Sequence, residues 1–529
     1  MGSRNSIVLP QLKTMILPPV GVSPALHTPA LVILTLAAGI GLAWLPLRLA
    51  VLLVAGTIYV ISVLLKPTLG IYLLIIIIPF SSRLAVAVGG FKVGLMELVL
   101  AFSLVAWLLR ILASRRLPHA SPAIKAGPLL WPFMVLVGAM SLSWLNTLSI
   151  GASLVETIKW VEMLLLYLLI VNLLPIREIK WLVLTLLVAG VAQAGLGLYQ
   201  FVYKVGPPGF ELFDGRFLRA YGTFDQPNPY GGYLGLLLPL ALSLVIWGLS
   251  QLPKRRTHES HHHHIPKDRR QANNSYRLLT LILLGLSLFM LLLALFASQS
   301  RGAWLGFASA AILTLIVRSR QSAAIIAVLA VVVALFGLLS SFDLSPARAD
   351  NNEPNSAYTV ISQRVANALS IMSINDVATT PVTDANFATV ERLAHWQAAR
   401  EMWRDHPWLG VGFGNYAVIY PAYAVGRWLD PLGHAHNYLL NLGAETGLIG
   451  ITSYLIFWFF AFGLLWMAIR HSQGFYQAIV IGGLGILVHL HIHNLVDNLY
   501  VQGMYLHLAI ILGLGTVIYL HKRTERIPV

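Results

Sequence analysis

The feature that most constrains this chain is a set of runs that are apolar on nearly every face, among them Leu73 to Phe80, Leu281 to Phe296 and Ser322 to Leu339. A helix on a soluble protein keeps one apolar stripe, and a strand of a closed barrel alternates polar with apolar; these runs do neither. Inside a hydrocarbon layer about 30 Å thick, each backbone N–H and C=O must bond internally, which a helix of about 20 residues achieves. With 57% hydrophobic and 11% charged residues in a chain of 529, too little polar surface is left for several soluble domains. The expected fold class is an all-α polytopic membrane protein.

Apolar windows bounded by Gly, Pro or charge place spans near 29–46, 49–65, 67–80, 94–113, 127–145, 153–174, 179–202, 231–250, 278–297, 302–318, 322–341, 446–469, 475–495 and 502–520. Counting the short early pairs as re-entrant reduces the set, so about 12–14 transmembrane helices are expected. Pro10, Pro18, Pro19 and Pro24 break up any short cleavable signal, and the first span then serves as an uncleaved anchor. The formal charge of +15 reads as an orientation signal, with a lipid bilayer and no nucleic acid as partner. Short inward segments carry about three times the Lys and Arg of short outward ones when the N-terminus is cytoplasmic.

That orientation divides the chain into a cytoplasmic tail (1–28), a helical domain (29–341) with a basic cytoplasmic loop (251–277), an extracytoplasmic loop (342–445), and C-terminal helices with a cytoplasmic tail (446–529). The basic C-terminal residues Lys522, Arg523 and Arg526 fall on the cytoplasmic side. The loop opens with a polar stretch, Asp343 to Asp384, and continues into an amphipathic helix, Val390 to Arg404, whose Leu393, Trp396 and Trp403 are placed to pack on the membrane domain. The absence of cysteine excludes disulfides, zinc thiolate sites and thiol nucleophiles. No internal repeat is visible, which weakens an inverted-repeat transporter.

Three outward segments carry reactive side chains. Arg219-Ala-Tyr-Gly-Thr-Phe-Asp-Gln-Pro-Asn-Pro-Tyr precedes a span, and its rigid Pro227-Asn228-Pro229 argues for a shaped loop around the arginine. Ser298-Gln-Ser-Arg301-Gly302 joins two spans with almost no loop, so the Arg301 guanidinium stays at headgroup depth, where it suits bidentate phosphate binding. Snorkelling anchors would explain each arginine alone. Gly433-His434-Ala-His436-Asn437 leads back into the membrane with Glu445 and Gly447 downstream, and a histidine there can serve as a general base. A base beside two cationic phosphate ligands is a complete site for group transfer.

Other features carry less. His258 and His261 to His264 form a cytoplasmic tract of low complexity. His489 and His493 share a helix face near Asp497, with His491 between them, and packing explains them better than a metal pair. Glu156, Lys159 and Glu162 recur every three residues and neutralise one another, or else line a proton or ion path.

Together these motifs resemble the O-antigen ligase and O-antigen polymerase family of bacterial membrane glycosyltransferases, over roughly residues 200–460. The pieces are Arg219 with Gly-Thr-Phe and Pro-Asn-Pro, Ser300-Arg301-Gly302, the series Arg392, Trp396, Pro407, Gly410 and Gly412, then His436-Asn437 and Glu445-x-Gly447. The long basic loop, the histidine tract and the extra spans depart from the family's commonest pattern.

The resemblance implies a metal-independent, cofactor-free, inverting enzyme of the bacterial cytoplasmic membrane, with its active face extracytoplasmic. It would take a glycan from an undecaprenyl diphosphate donor and pass it to a hydroxyl of a glycan, lipid or other acceptor. It casts His436 as catalytic, Arg219 and Arg301 as diphosphate-binding, and Arg392, His434, Asn437 and Glu445 as supporting. The rival readings are a transporter for a small anion such as bicarbonate, a label given to some relatives of the family, and a non-catalytic membrane scaffold.

Overall fold

The computed structural model describes residues 35–37, 39–88, 91–114, 124–212, 215–252, 267–318, 377–383 and 386–524. The tail 1–28, most of the span near 29–46, the histidine tract, the span near 322–341, most of the polar stretch before residue 377, and Arg526 lie outside the described residues. The chain forms two compact units, Met1–Lys66 and Pro67–Val529. In the first, helix α1 (Leu47–Leu65) buries only Val63, so its Leu, Ile and Val side chains are left to face lipid.

The described residues of the second unit are mostly helical. Its elements are α2 (Thr68–Ile77), β1 (Ala85–Val88), β2 (Phe91–Gly94), α3 (Leu95–Ser114), α4 (Leu130–Leu142), α5 (Ile150–Leu173), α6 (Ile179–Tyr203), β3 (Glu211–Leu212) and β4 (Phe217–Leu218). There follow α7 (Pro227–Gly235), α8 (Leu238–Ser250), α9 (Lys267–Ser298), α10 (Arg301–Arg318), α11 (Phe387–Asp405), α12 (Tyr416–Ile419), α13 (Tyr438–His471), α14 (Gly474–His493) and α15 (Met504–Thr524). Among the described residues nine helical stretches are long and apolar enough to cross a bilayer, so the protein is an all-α polytopic membrane protein.

Two antiparallel hairpins, β1–β2 with Ala85 opposite Gly94 and β3–β4 with Glu211 opposite Leu218, were not legible in the apolar pattern because neither exceeds four residues per strand. Residues 267–277 belong to α9 rather than to the basic loop, because the helix runs on past its apolar part. The charged residues of α5 find local partners: Lys159 pairs with Glu156, and the Tyr505 hydroxyl donates to Glu162 at 2.6 Å.

Glycines set the helix spacing around α14. A Cβ on Gly482 would lie 2.6 Å from the Leu240 Cα, and one on Gly485 2.8 Å from the Pro239 Cβ, so α8 approaches α14 backbone to backbone. Ser243 seals that contact by donating to the Ala478 carbonyl at 2.7 Å. α14 also packs against α10 and α13, and α15 against α5 and α13.

Alternation of helix direction brings every candidate residue to one end of the bundle. α6, α9 and α14 finish there, and α7, α10, α13 and α15 begin there. The Ala220 N–H donates to the Ala297 carbonyl at 3.0 Å, and the Tyr438 N–H to the Asn494 carbonyl at 2.8 Å, tying these ends together. At the opposite end Arg318 donates to Gln477 and Ser250, both at 3.3 Å.

Candidate active site at the loop-covered end of the bundle

The Arg219 loop is held from below by two buried amides of α6. Gln200 Oε1 accepts the N–H of Gly222 at 2.7 Å while its Nε2 donates to the Gly222 carbonyl at 2.7 Å, and Gln193 accepts from Thr223. Gly222 sits at φ 57°, a conformation that favours glycine. The Arg219 guanidinium is thereby aimed: Nε donates to the Ser298 carbonyl at 3.1 Å, and one terminal nitrogen to Asn228 Oδ1 at 3.1 Å and to the Gln299 carbonyl at 3.5 Å.

Those carbonyls belong to the turn between α9 and α10, where Gln299 adopts φ 51° and Arg301 is the first residue of α10. Burial, followed by the charges of Arg301 and Arg392, lowers the pKa of Arg219. Arg301 of α10 and Arg392 of α11 therefore both act on the Arg219 guanidinium, which costs free energy unless an anion enters. Arg392 Nε is buried with no hydrogen-bond partner among the described residues.

The histidine segment lies beside this cationic group. Leu432, Gly433 and His436 have φ of 49°, 85° and 51°, so the chain turns sharply before Asn437 caps α13 by accepting the Leu440 N–H at 3.1 Å. Trp396 of α11 donates to the His436 carbonyl at 3.4 Å, and Asn441 accepts the Ala435 N–H at 3.0 Å. His436 Nδ1 is 3.8 Å from Asp497 Oδ1, with the ring one-fifth exposed. His395 stands edge-on to His436 at 6.0 Å and stacks on Tyr420.

Asp497, in the short connection after α14, is the centre of the arrangement. His434 Nε2 lies 4.0 Å from its Oδ1, and His493 Nε2 lies 4.0 Å from its Oδ2. Burial alone would raise the Asp497 pKa, but the facing imidazoles of His436, His493 and His434 hold it well below the usual carboxylate range. Burial, then the neighbouring His436, pushes His434 down to about 4 against the pull of Asp497. Sequence reasoning considered Asp497 only as a ligand for the His489–His493 pair; its proximity to His436 depends on α13 and α14 meeting at this end.

His434, His436 and Asp497 are spaced as a metal set could be. The proton count tells against His434 as a ligand. Its Nδ1 accepts the backbone N–H of His436 at 3.1 Å, so in the neutral ring the proton sits on Nε2, which then points at the carboxylate as a donor.

The loop is fastened to α13 by Glu445 and a pair of glycines. The buried Glu445 carboxylate accepts the Tyr416 N–H at 3.0 Å, and the carbonyls of Ala444 and Glu445 accept from Val411 and Gly412 at 2.8 and 3.0 Å. These bonds tie the loop backbone to the start of α13. Trp403 lies against Gly443, as the amphipathic reading expects, whereas Leu393 packs inside the loop with Val377, Val390 and Trp428. α13 also starts before residue 446, with a break at Gly447, whose φ of 60° and ψ of −160° separate an initial helical piece from the long span.

Residues 286–455 match the O-antigen ligase family model. The matched stretch contains Arg301, Arg392, His436, Asn437 and Glu445, five of the residues on which the resemblance was read, while Arg219 and Asp497 flank it. No curated protein matches the chain.

Proposed function

We propose that this protein transfers a glycan from an undecaprenyl diphosphate carrier to an acceptor hydroxyl at the outer face of the bacterial cytoplasmic membrane, as an O-antigen ligase or a related polysaccharide polymerase does. The observation that carries the reading is the meeting of Arg219, bonded to the turn that leads into Arg301, with a histidine–aspartate pair at one end of a membrane bundle. The family match over residues 286–455 supports glycosyl transfer.

In this reading Arg219 and Arg301, assisted by Arg392, bind the diphosphate. His436 presents Nδ1 to Asp497 and Nε2 to the acceptor. As the acceptor oxygen bonds to the anomeric carbon, its proton passes to Nε2, the bond from that carbon to the phosphate oxygen breaks, and the carrier diphosphate leaves. One displacement inverts the anomeric configuration. Charge accumulates on the leaving diphosphate in the transition state, where fixed guanidinium groups in a partly dry site stabilise it most. Asp497 stabilises the imidazolium that forms, and these residues supply base and charge neutralisation without a metal.

The test is transfer by purified protein in liposomes supplied with a polyprenyl diphosphate-linked glycan and acceptor. Alanine at Arg219, Arg301 or His436 should abolish transfer while leaving membrane insertion intact. Near-normal transfer by His436→Ala would remove the base from its role. Uptake of a small anion with no glycan transfer would favour transport instead.

A further inference from the structure

His493 takes no part in the mechanism above, yet it is 1% exposed and neither of its ring nitrogens has a hydrogen-bond partner among the described residues. Leaving such groups dry and unbonded costs free energy, so a compensating role is expected. The ring is enclosed by glycines of two other elements. A Cβ on Gly232 of α7 would lie 3.3 Å from its Cε1, and one on Gly302 of α10 would lie 3.1 Å from its Cδ2 and 3.3 Å from its Nε2. One turn deeper, His489 is enclosed in the same way by Gly235 of α7 and Gly306 of α10.

One of these glycine-bearing helices carries an arginine, and the other carries a hydrogen-bond partner of one. α10 begins with Arg301, the residue before Gly302, and α7 holds Asn228, whose side chain accepts from Arg219. The same imidazole faces Asp497 Oδ2 at 4.0 Å, on the opposite carboxylate oxygen from the one His436 faces. The charged and titratable groups around it are Asp497 on its own connection, His489 edge-on at 5.5 Å on α14, and Arg392 from α11; His434 and His436 from the α13 entry face the same carboxylate.

We infer that His493 is a positioning residue, wedged between α10 with its Arg301, α7 with the Arg219 partner Asn228, and the carboxylate, that fixes the distance from the diphosphate clamp to the base. It touches neither donor nor acceptor. The inference rests on the transfer reading and adds to it a link between its two halves. A ring larger or smaller than imidazole would change the α7–α10 separation, and one without a nitrogen at the Nε2 position would leave Asp497 Oδ2 without the imidazole that faces it.

The experiment compares His493→Met, which keeps bulk but no donor, with His493→Gln, whose amide nitrogen can take the place of Nε2, alongside wild type and His436→Ala in the liposome assay. His493→Met should lower kcat by about tenfold or more, the scale of a misplaced general base, with KM for the lipid-linked donor changed less than about threefold and thermal stability retained. His493→Gln should recover most of the lost kcat. Equal activity of Met and Gln variants, or a loss confined to KM, would overturn the inference while leaving the transfer reading in place. A wild-type protein without transfer overturns both.

Discussion

His434 Nδ1 accepts the backbone N–H of His436 at 3.1 Å, so the ring of the first histidine holds the turn in which the second sits at φ 51°. Left-handed backbone at a non-glycine residue is costly unless its surroundings impose it. Replacing His434 by Ala should release that turn and lower transfer severely. Asn places an oxygen acceptor where Nδ1 lies, and His434→Asn should retain much more activity than His434→Ala in the same assay. Equal loss in both would show that the turn is held by other means.

The Arg219 guanidinium uses its fork to span Ser298 on one side and Asn228 on the other. A lysine ammonium is a point charge on a flexible stem and cannot bridge both while facing an anion. Arg219→Lys should therefore lose about 100-fold in transfer, close to the loss in Arg219→Ala, as expected when one preorganised donor set is removed. Rates of both variants with saturating donor would check this; near-wild-type rates for the lysine variant would contradict it.

Acid should loosen the loop in two stages. Burial and the nearby His436 push His395 and His434 down to about 4, so between about pH 6.5 and 4 the unfolded chain binds protons that the folded one refuses, and stability falls with pH. The depressed Asp497 carboxylate contributes fully above its ordinary value of about 4 and is lost only as pH falls below that. Hydrogen exchange of residues 387–445, corrected for intrinsic rate, should show more frequent opening at pH 5 than at pH 7. Asn at both His395 and His434 should flatten that difference, and a response as steep as the wild type would reject the assignment.

Gly447 has φ 60° and ψ −160°, and a Cβ there would run into the backbone of Trp408. The backbone strain alone costs about 1–3 kcal/mol for a residue with a side chain. Gly447→Ala should lower the thermal midpoint clearly. Gly138→Ala, at a glycine with nothing within 4 Å, should leave it unchanged or slightly raised.

The spans were legible because a lipid-facing helix announces itself in every residue; α9 and α14 follow directly from their apolar runs. Arg219, Arg301 and His436 were legible as polar groups next to spans. Asp497 was obscured by sequence distance, since the packing of α13 on α14, tied by the Tyr438 N–H on the Asn494 carbonyl, brings its connection beside the histidines. The break at Gly447 was hidden for another reason: a single glycine inside an apolar helix reads as ordinary packing until its backbone angles are known. The hairpins escaped notice because strands this short have no period to detect.

The mutual enclosure of α14 imidazoles by α7 and α10 glycines has a consequence for engineering. The stretch 286–455 cannot be treated as a portable cassette, because Arg219 lies before it and Asp497 after it. A chimera that grafts only that stretch onto another scaffold would import half of a lock whose wards are cut on three separate helices, and would need both flanking segments to turn.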